Sequence, residues 1–182
     1  MVTVVVPFRS GGKSRLPAHV RVEAALAMLG DVLAAAVAEA DSVRLVTDDE
    51  AAVRVAEAIG VEVVADPGGG QGAAVEAALA GVDGVCLVVN ADLPRVRPAD
   101  LAALAVPASA GAVAIVAARD GTTNALGLPL AEAFAPLYGP GSAARFRAHA
   151  ALLGLDVRDL DLPNVEADVD TSEDLERSGL PA

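Results

Sequence analysis

Apolar residues gather along this chain in short unbroken runs, separated by longer Ala/Leu-rich stretches, and the two kinds alternate. The β-branched runs are VTVVV (2–6), SVRLVT (42–47), VEVVA (61–65), GVCLVVN (84–90) and AVAIVAA (112–118). None shows the polar alternation of a strand with one wet face, so each reads as a strand covered on both sides. Between them, residues 20–40, 49–59, 72–82 and 98–106 carry apolar side chains at helical spacing. This repetition predicts an α/β fold, with a mainly parallel central sheet and helices on both faces. Beyond residue 120 the pattern loosens into TNALGLPL and a GPGS loop, followed by a helix near 142–153, a VRDLDL run and a last helix starting near TSEDL.

Length and composition narrow the picture. The 182 residues suit one domain, 1–182, with a full core. Hydrophobic residues make up 54% but aromatics only 2%, so Ala, Val and Leu must fill the interior. No apolar run approaches the roughly 20 residues that span a bilayer, and no basic stretch precedes the first one, so a cytoplasmic protein without a membrane partner is expected. Thirteen Lys and Arg against 25 Asp and Glu give a net charge of −12, which repels nucleic acid. The lone Cys86, inside an apolar run, reads as a buried inert thiol, and a cysteine-based metal site is excluded. Either a monomer or a homodimer is compatible with these features.

In open α/β sheets ligands bind beyond the carboxyl ends of the strands. Those ends read PFRSGGKSR, DPGGGQG, NADLP and ARDGTTN here. The first packs Arg9, Lys13 and Arg15 around a glycine pair in an otherwise acidic chain, an arrangement suited to phosphate groups held by backbone N–H donors and cations. Gly12-Lys13-Ser14 imitates a P-loop, but Pro7 stands where that motif needs Gly, and Pro17 falls where its helix needs an N–H donor. Gly68, Gly70 and Ala73 have the spacing of a dinucleotide fingerprint, without the acidic residue that would complete it. Asp92 follows a buried strand and precedes Leu93-Pro94, which suits a carboxylate ligand for a hard cation, with Asp168 and Asp170 as further carboxylates. The same aspartates also fit plain capping roles, Asp92 in a turn and Asp170 or Thr171 at the final helix. Ser142, behind Gly139-Pro140-Gly141 and one turn before Arg145, marks a second helix start suited to an anion, while Thr122, Thr123 and Asn124 offer polar contacts nearby. An ordinary loop and cap would explain the same residues. His19 and His149 read as surface residues.

Together, VVPFRSGGKSRL (5–16), DPGGG (66–70), ADLP (91–94), DGTTNAL (120–126), YGPGSAARF (138–146) and ADVDTSEDL (167–175) resemble the 2-phospho-L-lactate and phosphoenolpyruvate guanylyltransferases of coenzyme F-420 biosynthesis. ADLP and DVDT mark only the wider superfamily, whereas GTTNAL followed by GPGS is the specific part. The resemblance implies a glycosyltransferase-A-like nucleotidyltransferase fold. It also implies transfer of GMP from GTP to phosphoenolpyruvate or 2-phospho-L-lactate, with release of pyrophosphate. By motif, Lys13 and Arg15 would contact the GTP phosphates and act with Asp92 in catalysis, and Asp66, Gly68, Gly69 and Gly70 would lie near guanine. Asp92, Asp168 and Asp170 would hold Mg2+, and Thr123, Gly139 and Ser142 would grip the phosphorylated acid. Family members usually read Leu-Asn after those glycines, where this chain has Gln71-Gly72. The resemblance implies phosphoenolpyruvate in actinobacteria-like members and 2-phospho-L-lactate in archaeal ones, and the Ala-, Val- and Gly-heavy composition, which suggests a GC-rich genome, inclines the expectation to phosphoenolpyruvate. A nucleotidyltransferase of the same fold acting on molybdenum cofactor or a sugar phosphate, and a non-catalytic nucleotide-binding regulator, are the alternative readings.

Overall fold

A computed structural model describes residues 1–9 and 18–166, with backbone alone for 18–21. In chain order the elements are β1 (Val2–Pro7), α1 (Ala18–Glu39), β2 (Ser42–Thr47), α2 (Glu50–Ala58), β3 (Glu62–Ala65), α3 (Gln71–Leu79), β4 (Val85–Val89), α4 (Pro98–Ser109), β5 (Val113–Ala117), β6 (Thr123–Leu128), a 3-10 turn (Ala131–Ala133), α5 (Ser142–Leu152), β7 (Val157–Asp159) and α6 (Pro163–Glu166). The strands form one seven-stranded sheet in the order β3-β2-β1-β4-β6-β5-β7. Among the described residues only β6 runs antiparallel to its neighbours, β4 and β5.

Unbroken apolar runs make strands buried on both faces because alternate side chains enter different cores. Val4, Val6, Leu87 and Val89 point into one core with Leu29 and Leu33 of α1, Ala52 of α2 and Leu104 of α4. Val5, Cys86 and Val88 point into the other, against Val75 and Leu79 of α3 and Phe146 of α5. Each fully buried Leu or Val removes enough apolar surface from water to contribute about 1.5–3 kcal/mol. Local signals set helix boundaries: the Asp49 carboxylate caps α2 by accepting from Ala51 N and Ala52 N at 2.8 and 3.0 Å. Pro98 opens α4, and Asp100 accepts from Arg97 N at 2.9 Å across its first turn.

The loosened TNALGLPL segment is where the chain departs from its pattern. Residues 123–128 form a central strand, with all six residues buried. Asn, Ala and Gly are poor strand formers, so propensity hides it. Packing explains the composition: a Cβ on Gly127 would lie 2.6 Å from the Leu104 carbonyl oxygen, so only glycine lets α4 approach the sheet this closely. The final helix expected near TSEDL lies outside the described residues.

Candidate functional site

Because β1, β2 and β3 succeed one another toward one edge while β4 lies on the opposite side of β1, connections diverge between β1 and β4. A crevice opens at such a switch point, outside the carboxyl ends of the strands. The antiparallel β6 brings its first residues, Thr123 and Asn124, to the same edge, with Asn90 N donating to Asn124 O at 3.0 Å.

On the β3 side, Arg9 donates from Nε and Nη2 to the two Asp66 oxygens at 2.5 and 2.9 Å. Asp66 Oδ1 also accepts from Gly68 N at 2.9 Å. The Asp66 side chain is only 1% exposed against 44% for Arg9, so its carboxylate faces inward and shapes the loop. The Arg9 hydrogen bond, with help from Gly68, holds the Asp66 carboxyl below its ordinary range. Gly68, Gly69 and Gly70 follow with φ of 80°, 86° and 98°, a run that only glycine adopts cheaply. A Cβ on Gly68 or Gly70 would meet nothing within 4 Å, so this bare backbone borders open space. At Gly72 the reason for glycine differs: a Cβ there would meet Pro136 Cβ at 2.5 Å, so the start of α3 presses on the segment before α5.

At the end of β4, Asn90 sits two residues before Asp92. Its Oδ1 accepts from Gln71 Nε2 at 2.7 Å, and its Nδ2 donates to Thr123 O at 3.2 Å and Asn124 Oδ1 at 3.4 Å. Asn124, 2% exposed, then donates to Val165 O at 2.9 Å and Glu166 O at 3.4 Å. Val165 and Glu166 are therefore tied by side chains to Asn90, two residues before Asp92. Asp92 itself is half-buried, with Oδ1 enclosed.

The second half of the edge is organised around a pair of buried hydroxyls. Thr123 Oγ1 and Ser142 Oγ lie 2.9 Å apart at 3% and 0% exposure. Two hydroxyls carry two hydrogens, and the bond between them uses one, so the other remains to be given away. Thr122 turns elsewhere, its N and Oγ1 donating to Asp120 at 2.9 and 2.6 Å. The helix start differs from the expected cluster of free donors, because Ser142 N, Ala143 N and Arg145 N donate to Gly139 O, Gly121 O and Gly141 O. Arg145 is likewise occupied by its own loop, donating to the carbonyls of Leu137, Tyr138 and Pro140 at 2.6–3.1 Å. The φ values of 109° at Gly139 and 70° at Gly141 allow that loop to wrap the guanidinium. His149 is also not the surface residue expected: it is half-buried, with Nε2 enclosed and unbonded among the described residues. Cys86 behaves as expected, fully buried with its thiol pushed up to about 11 by desolvation.

Lys13, Arg15, Asp168 and Asp170 lie outside the described residues. Among those described, no three His, Cys, Asp or Glu side chains cluster to hold a metal. Asp92 alone still fits a Mg2+-type ion, which takes one or two protein carboxylates and completes its shell with substrate phosphates and water. Asn90 is the contributor that motif reading passes over, whereas Arg9 and Asn124, read as phosphate and polar ligand contacts, are instead engaged with Asp66 and with the Val165 and Glu166 carbonyls. The signal of Asn90 in the sequence is only that it borders the end of β4.

Residues 2–178 match the family described as guanylyl transferase CofC like. A phosphoenolpyruvate guanylyltransferase of Roseiflexus castenholzii is 39% identical over 163 residues, covering 88% of this chain and 76% of that protein. Among solved structures, a nucleotidyl transferase from Methanothermobacter thermautotroptrophicus superposes with a TM-score of 0.71 at 22% identity, covering 97% of this chain and 95% of that one. Rv0371C of Mycobacterium tuberculosis H37Rv, in complex with manganese, superposes with a TM-score of 0.65 at 25% identity, covering 97% and 96%. These neighbours share the α/β architecture described above.

Proposed function

The chain belongs to the CofC-like guanylyl transferases, and from that premise we propose that it transfers GMP from GTP to phosphoenolpyruvate, releasing pyrophosphate, in coenzyme F-420 biosynthesis. 2-Phospho-L-lactate is the other acid of the same chemical class. The substrate rests on similarity to a relative named for phosphoenolpyruvate. The carrying observation is the Asn124 tether, which holds Val165 and Glu166 beside Asn90, at the end of β4 and two residues before Asp92. It starts residues 167–170 from the edge where Asp92 lies, as convergence of Asp92, Asp168 and Asp170 on one triphosphate requires.

In this reading a phosphate oxygen of the acid attacks the α-phosphorus of GTP, in line with departing pyrophosphate. That nucleophile is already ionised at neutral pH, so no side-chain base is needed. The protein's work is to position two polyanions and neutralise their charge. Lys13 and Arg15 neutralise the triphosphate, and the Gly68–Gly70 backbone faces the base. The inward-turned Asp66 serves by fixing that loop. Thr123 and Ser142 offer their remaining hydroxyl hydrogen to the acid, and Gly139 shapes the wall around it. Asp92, with Asp168 and Asp170, holds Mg2+, which when bound supplies electrostatic stabilisation of the transferring phosphoryl group. A manganese complex of a structural relative supports divalent-metal use.

The test is a matrix of nucleoside triphosphates against phosphorylated three-carbon acids, with products read by mass. A guanosine joined through a diphosphate to phosphoenolpyruvate is expected. Product formation only with a sugar phosphate or a pterin would overturn the reading.

A further inference from the structure

Three side-chain amides at the sheet edge form a head-to-tail chain whose polarity is dictated from one end. Asn124 faces two backbone carbonyls, Val165 O at 2.9 Å and Glu166 O at 3.4 Å, and only an NH2 group can face two acceptors. Its Oδ1 must then turn to Asn90, which has to answer with Nδ2, also given to Thr123 O. Asn90 Oδ1 is left pointing at Gln71, which must answer with Nε2, at 2.7 Å. Flipping any one amide would set oxygen against oxygen or NH2 against NH2. The Gln71 amide is therefore locked, whereas an unrestrained glutamine rotates to suit whatever it meets.

Gln71 opens α3 immediately after Gly70, the end of the loop whose bare backbone borders open space, and its amide reaches the carboxyl end of β4 at the switch point. Its Oε1 accepts no hydrogen bond from the described residues, and one Nε2 hydrogen is unspent. It thus offers an acceptor and a donor in fixed order. The two purines present opposite orders on their exposed edges. Guanine carries an acceptor at position 6 and a donor at position 1, and adenine a donor and then an acceptor. An amide free to flip pairs with both, whereas a locked one pairs with one and opposes the other.

We propose that Gln71 is a purine-discriminating residue, its amide polarity locked through Asn90 and Asn124 so that the site accepts guanine and rejects adenine. Asn90 and Asn124 act as positioning residues that touch no nucleotide. The inference rests on the reading that the Gly68–Gly70 loop faces the base. The experiment measures kcat/KM for GTP and for ATP, with phosphoenolpyruvate and Mg2+, in the unaltered protein, Gln71→Leu and Asn90→Ala, with melting temperatures alongside.

Gln71→Leu lowers the GTP/ATP preference by about tenfold or more, because a lost edge contact penalises GTP while a lost clash relieves ATP. Asn90→Ala lowers the preference in the same direction, mainly by raising ATP use, since the freed amide can now turn. Loss of stability alone does not produce that gain with ATP. Equal losses with both nucleotides, or an unchanged preference, overturn the inference and leave the amide chain as scaffold. Should Asn90→Ala fail to fold, Gln71→Leu decides alone. If the unaltered protein shows no guanine preference at all, the proposed function fails instead, and the two failures are distinct.

Discussion

Arg9 grips Asp66 with two hydrogen bonds, at 2.5 and 2.9 Å, joining the end of β1 to the glycine loop after β3. The two residues are 57 positions apart in sequence, and their pairing closes one side of the crevice above β1. Arg9 also leads directly into the basic segment that carries Lys13 and Arg15, so the same contact fixes where that segment departs.

Breaking this pair should act on the nucleotide more than on the acid. Asp66→Ala is expected to raise KM for GTP by about tenfold, the scale of one charge-assisted contact, with a smaller change in kcat and in KM for the acid. Initial rates with each substrate varied in turn check this.

The pair also carries a pH signature. Arg9 depresses the Asp66 carboxyl below its unfolded value, so the folded state binds that proton less readily. Its stabilisation is present above the unfolded pKa of about 3.9 and is lost as pH falls through the folded value. Asp66→Asn should therefore flatten the loss of stability below about pH 4 without altering the slope at neutral pH. Urea midpoints measured across pH provide the check.

Asp92→Asn keeps the side-chain volume and removes the charge. Turnover should fall by about 100-fold or more, while the melting temperature stays within about 2 °C of the unaltered protein. Mn2+ binding followed by paramagnetic resonance in the presence of GTP should weaken in parallel. Unchanged Mn2+ binding would remove Asp92 from the metal site.

The hydroxyl pair predicts the opposite partition to Asp66. Ser142→Ala should raise KM for the phosphorylated acid by about tenfold with little change for GTP. Thr123→Val should do the same and also cost stability, about 1–3 kcal/mol, because the fully buried Ser142 hydroxyl loses its partner.

Gly127→Ala tests the strand that the sequence pattern concealed. With the Leu104 oxygen 2.6 Å from the new Cβ, backbone must shift, at a cost of about 1–3 kcal/mol read as a lower melting temperature.

These positions also mark where residue patterns stop informing. The runs at 42–47 and 112–118 declare β2 and β5 because Val and Ile crowd them, and the alternation with helical spacing declares the parallel sheet. The strand at 123–128 is silent, since its Asn, Ala and Gly residues are chosen by close packing against α4 and by the amide chain. Arg145 illustrates a different limit. A guanidinium beside a helix start looks the same in sequence whether it awaits an anion or holds its own carbonyls, and only the fold separates the two. Likewise nothing in the sequence links Asn90 to Gln71 until folding brings their side chains within 2.7 Å. The motifs located the edge, and tertiary contacts decided what each side chain does there.

The most direct test of guanylyl transfer is phosphorus NMR of the protein mixed with GTP, phosphoenolpyruvate and Mg2+. The account predicts that the phosphate monoester of the acid disappears as a coupled pair of diester pyrophosphate resonances grows, with free pyrophosphate in equal amount. Pyrophosphate appearing without the coupled pair, or GTP consumed at the same rate when the acid is left out, would contradict it.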